Sequence, residues 1–137
     1  MKSFLSPLLQ SGLPRAESRG QPPFALTNTR NGRIVAGTLL TAFDSSSRRT
    51  GLLGRDSLAD GSAMIIAPSS AIHTFAMRFA IDVMFVSKDG RVLKLRRDVK
   101  PRRISAAWRA FAVVELPVGA IERSDTCPGD RLQLNAL

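Results

Sequence analysis

Turn signals recur along this chain at intervals that leave room only for short extended segments between them. "RNGR" at residues 30–33 and "KDGR" at residues 88–91 each hold a glycine after Asn or Asp. Such pairs accept the positive φ of a two-residue hairpin turn and so join antiparallel neighbours. Pro128-Gly129 in "CPGDRLQL" marks a further turn before a last short strand. Around and between these turns stand two short runs within "FALTNTRNGRIVAGTLLTAF", then "SAMIIAP", "HTFAMRF", "IDVMFVS", "VLKLRR" and "FAVVELP", with β-branched and aromatic residues prominent in "HTFAMRF" and "IDVMFVS". "DSSSRRTGLLG" alone reads as helix, capped by Asp44 or Ser45 and ended by Gly51 or Gly54. The pattern predicts an all-β fold, a compact and mostly antiparallel β-sandwich or barrel with one short helix.

A chain of 137 residues, 44% hydrophobic, suits one domain with its own core. Residues 1–22 mix Pro, Gly, Ser and Arg without periodicity and read as a flexible leader; the β domain is expected over 23–137. Lys2 and a short apolar stretch resemble a weak export signal. Pro7 and Gln10 interrupt that stretch, and no clear small-residue cleavage site follows. A cytoplasmic protein is therefore expected, with export as the alternative. No run of about 18 apolar residues exists, so no transmembrane segment is expected. Cys127 is the single cysteine, which leaves no intrachain disulfide.

The net charge is +9, a balance that favours anionic partners. Much of the excess lies in one segment. There Lys88, Arg91, Lys94, Arg96, Arg97, Lys100, Arg102, Arg103 and Arg109 are opposed only by Asp89 and Asp98. A solvated basic face explains this run most simply. Trp108 and Phe111 are available to stack bases, but the aromatic content of 6% and the lack of tyrosine give no signature of an RNA-binding sheet.

His73, the only histidine, shares strand parity with Phe75, Met77 and Phe79. A continuous strand would put it on the apolar face as a core histidine rather than a base or ligand. Arg78 and Asp82 share the opposite parity and would lie roughly 13 Å apart in an extended strand, so each is expected to pair elsewhere. Glu115 sits between apolar neighbours in "VVELP" and, if buried, requires a partner, with Arg55 or Arg78 the candidates. Convergence of Arg55, Arg78, Asp82 and Glu115 would make a polar site, although a structural ion-pair network is the plainer expectation. No compact spacing of metal ligands and no phosphate loop is present, and no cofactor is expected.

"RRTGLLGR", "IHTFAMRFAIDVMFVSKDGRVL", "VVELPVGA" and "PGDRL" follow one another in this order. Together they resemble the bacterial and archaeal family known as domain of unknown function 192, over roughly Phe24 to Leu134. The resemblance implies a compact antiparallel β architecture and no established activity. It also implies recurrent polar positions at Arg55, His73, Arg78, Asp82, Glu115 and Asp130, with motif glycines at Gly51, Gly54, Gly119 and Gly129. Ala80 stands where the family commonly has proline, and Ser69 where relatives often carry cysteine.

These readings favour a non-catalytic binding or interaction module with a basic surface for an anionic ligand or partner, served by Arg55, Arg78, Asp82, Glu115, Arg96, Arg97, Arg102 and Arg103. A small enzyme using Asp82, Glu115 or His73 in acid–base chemistry is the alternative, and a nucleic-acid-binding protein a third reading.

Overall fold

The computed structural model describes residues 2–10 and 24–136. The chain runs α1 (Ser6–Gln10), β1 (Phe24–Asn28), β2 (Ile34–Ala36), β3 (Thr38–Ala42), α2 (Ser45–Thr50), β4 (Ser62–Ile66) and β5 (Ala71–His73). It continues through β6 (Ile81–Val86), β7 (Val92–Val99), β8 (Ile104–Ala106), β9 (Ala112–Pro117), α3 (Ala120–Ser124) and β10 (Leu132–Ala136). Five strands form the main sheet in the order β3-β4-β9-β6-β7. A three-stranded sheet, β10-β1-β2, and a two-stranded ribbon, β5-β8, complete the fold.

Among the described residues no sheet closes on itself, so the sandwich and not the barrel fits. All pairings are antiparallel except β3 with β4, which α2 and the following loop connect as a parallel crossover. Among the described residues three short helices occur where one was expected. The expected helix is α2. Asp44 caps it, accepting from the Ser47 N–H at 2.8 Å, while Ser47 Oγ accepts from the Asp44 N–H, and Gly51 ends it.

Both expected hairpins form. β6 turns back into β7 through residues 87–91, and β1 pairs with β2 across residues 29–33. Gly90 at the first turn has φ +91°, and a Cβ there would lie 2.5 Å from the Leu132 carbonyl oxygen, so only glycine fits.

Side chains of the main sheet alternate between two cores. On one face, Met84, Val86, Val114 and Leu116 pack against Leu26, Leu132 and Leu134 of the smaller sheet. On the other, Val83, Phe85, Val113, Met64 and Ile66 meet Leu52 and Leu58 from the α2 loop, and Ile72 and Met77. β6 and β9 are buried along their whole length because both faces are covered.

The leader expectation is corrected over its first residues. Leu5 (1% exposed) and Leu8 (5%) are built into the first core, and the Phe4 N–H donates to the Lys88 carbonyl. Proline and serine masked a pair of leucines with helical spacing. The rest of that leader, residues 11–22, lies outside the described residues.

Candidate functional site

"HTFAMRF" is not one strand, and this decides where its polar residues go. The chain is extended only to His73. Thr74 Oγ1 then donates to the Lys100 carbonyl at 2.7 Å and accepts from the Arg103 N–H at 2.8 Å, and the Met77 N–H closes a turn onto the Thr74 carbonyl. Ala76 has φ 63°. With the alternation broken at Thr74, Ile72 points inward and His73 is exposed beside the Phe75 ring. The core-histidine expectation is therefore overturned.

Arg55, Arg78, Asp82 and Glu115 do not converge either, whether as a polar site or as the ion-pair network that was the plainer expectation. Arg78 pairs with Asp56 at 2.7 Å, through two largely exposed side chains. Arg55 is exposed in the turn after α2. Asp82 and Glu115 are both buried but on opposite faces of the main sheet. Glu115 lies opposite Met64 and Val83, in the row of the second core, whereas Asp82 lies opposite Leu116, in the row of the first.

Asp82 is a structural brace. Its Oδ1 accepts from the Asp98 N–H at 2.9 Å, and its Oδ2 from the Gly119 and Ile121 N–H groups at 3.1 Å each. It thereby fixes the β7 end and the start of α3. Asp130 braces the opposite region, accepting from Asn28 Nδ2, Arg30 Nε and the Cys127 N–H at 2.8 Å each. The Arg30 guanidinium and these donors hold its carboxyl down at about 2, below the usual carboxylate range.

Glu115 differs from both. It is 4% exposed, its Oε2 has no hydrogen-bond partner, and burial pushes its carboxyl up to about 7. Glu115 is one of the residues lining a cavity of about 570 Å³ between α2 and β5. Leu52, Leu53, Ile66, Ile72 and Met77 make its apolar walls, and Ser45, Arg48, Arg49, Thr50, Ser69 and His73 its polar ones. Arg48 is held by its bond to the Phe43 carbonyl at 2.8 Å, and Arg49 by its Nε bond to the Ser45 carbonyl. The site thus combines apolar walls, guanidinium groups and one carboxyl that is neutral below about pH 7. Among the described residues no three or more His, Cys, Asp or Glu side chains are placed to hold an ion.

Of the residues read from sequence, Glu115 and His73 reach this pocket. Arg48 and Arg49 were missed, because a helix of six residues carries no periodic signal to tell which side faces a cavity. Elsewhere, Arg96 is half-buried on β7 and donates to Ser105 Oγ at 3.3 Å, while Arg97, Arg102 and Arg103 are exposed.

Comparison with known proteins agrees with this architecture. Two solved structures share the fold, each at 24% identity with a TM-score of 0.71. One is a Sinorhizobium meliloti 1021 protein, provisionally described as a transcription regulator, matched over 81% of this chain and 91% of that one. The other is a protein of unknown function from Novosphingobium aromaticivorans DSM 12444, matched over 82% and 84%. No curated protein matches. The family model DUF192, described as "Uncharacterized ACR", matches residues 26–134, and on that match the chain belongs to the DUF192 family.

Proposed function

We propose that the protein is a non-catalytic binding module that takes a small anionic ligand with an apolar body into the pocket between α2 and β5. The observation that supports this reading is Glu115 Oε2, a buried carboxyl oxygen left unpartnered in the wall of a pocket. Buried polar atoms normally find partners, and an unpaired one in a residue that lines a cavity is an unfilled place in a hydrogen-bond pattern, reached by a small shift of the Glu115 side chain. A neutral Glu115 donates one hydrogen bond to a ligand oxygen. Arg48 and Arg49 supply positive potential, and Leu52, Ile66, Ile72 and Met77 bury the apolar body.

The test is calorimetry of short-chain carboxylates and alkyl phosphates at pH 6 and pH 8. Binding that weakens at pH 8 and is lost in Arg48→Gln/Arg49→Gln supports the reading. Heats absent across the panel at both pH values count against it.

A second reading rests on His73 and Glu115 lining one cavity. A carboxyl near 7 and an imidazole are a serviceable acid–base pair. This enzyme reading expects ester or phosphoester turnover that falls at least 100-fold in Glu115→Gln.

A further inference from the structure

The ribbon β5-β8 and the turns beside it carry several of the exposed large apolar side chains among the described residues. Its register places His73 opposite Ile104 and Ala71 opposite Ala106, all exposed, while Ile72 and Ser105 between them are buried. One face of the ribbon is thus anchored and the other turned to solvent. Lys94 Nζ donates to the Ala106 carbonyl and Arg96 to Ser105, which ties the ribbon to β7.

Three large apolar side chains stand out on or beside this ribbon. Ile104 is 69% exposed, Trp108 in the turn after β8 is 84% exposed, and Phe75 is 46% exposed beside His73. A soluble surface rarely leaves such side chains together without use. Basic groups flank them. Arg102 and Arg103 are exposed on the loop entering β8, and the Arg109 guanidinium sits 4.5 Å from the Trp108 ring centroid. The Asp98 carboxylate on β7 is paired with Lys100 at 3.7 Å.

We infer that this face docks on an anionic lipid surface, with Trp108, Ile104 and Phe75 entering the headgroup region and Arg102, Arg103 and Arg109 contacting lipid phosphates. Charge complementarity selects a negative partner. The apolar set selects lipid over nucleic acid. Trp108 would stack on a base, but the branched aliphatic Ile104 has no π face to offer one, whereas both insert at a membrane interface. The strands supply a rigid ribbon, so this is attachment at a surface rather than a span. Among the described residues no helix is long and apolar enough to cross a membrane.

Trp108 is the only tryptophan and reports directly on the contact. The full chain is titrated with vesicles of phosphatidylcholine alone, with vesicles containing phosphatidylglycerol, and with a single-stranded oligonucleotide, while Trp108 emission is followed. A blue shift and co-sedimentation with the anionic vesicles only is the expected result. Arg102→Gln/Arg103→Gln should then weaken vesicle binding about thirtyfold. Ile104→Ser should weaken it while circular dichroism stays unchanged. Emission unmoved by anionic vesicles, equal binding to neutral ones, or quenching by the oligonucleotide alone would each overturn the proposal.

Discussion

Asp82 and Glu115 show at the residue scale how two buried carboxyls on neighbouring strands acquire opposite characters. Asp82 is satisfied by three backbone N–H groups, and Glu115 Oε2 by none. Removing the Asp82 carboxylate strands those three donors, so Asp82→Ala is expected to cost at least about 3 kcal/mol in urea unfolding. At the β6–β7 turn, Gly90→Ala combines a positive φ with a Cβ 2.5 Å from the Leu132 oxygen. It should destabilise by more than about 1 kcal/mol, measured the same way. The sequence marks Glu115 as unusual, since an acid within a wholly apolar run is conspicuous. It does not mark which face receives it. Arg55 and Arg78 are reasonable partners on composition, yet Arg78 turns outward to Asp56.

At the scale of elements, local chemistry was easy to read. The capping box of α2 and the Asp-Gly and Asn-Gly turns act over a few residues, and each appears where the sequence puts it. Asp44→Ala removes the cap and should destabilise the protein by about 1 kcal/mol. It should also speed amide exchange over residues 45–50, the segment that carries Arg48 and Arg49. The segment after β5 was misread for a definite reason. Period-two alternation assumes an extended chain, and Thr74 ends the extension by bonding to the loop around Lys100 and Arg103, residues remote in sequence. That contact moves His73 from an expected core position to the surface.

For the whole molecule, the Glu115 and Asp130 carboxyls shape stability in opposite directions. Glu115 titrates near 4.5 when unfolded and near 7 when folded. Between those values only the unfolded chain has released the proton, so stability falls as pH rises, by about 1.4 kcal/mol per pH unit, and is level above 7. Glu115→Gln should abolish this slope in urea midpoints taken from pH 5 to 8. Asp130, lowered to about 2, has the reverse sign. Its contribution is present above its ordinary value near 3.8 and is lost as pH falls toward 2. Asp130→Asn should therefore flatten the acid limb of the same profile.

Most of the strands, the hairpins, the α2 cap and the predominance of β structure were encoded in neighbouring residues, because turn φ preferences, helix caps and period-two patterns act over a few positions. The docking of Leu5 and Leu8, the surface placement of His73 and the separation of Asp82 from Glu115 were not. Each depends on which distant segment covers a given sheet face. Burial, hydrogen-bond satisfaction and the elevated Glu115 carboxyl are properties of that non-local packing. The pocket has the same origin, since its walls come from α2, the segment around β5 and a β9 carboxyl that only the folded chain brings together.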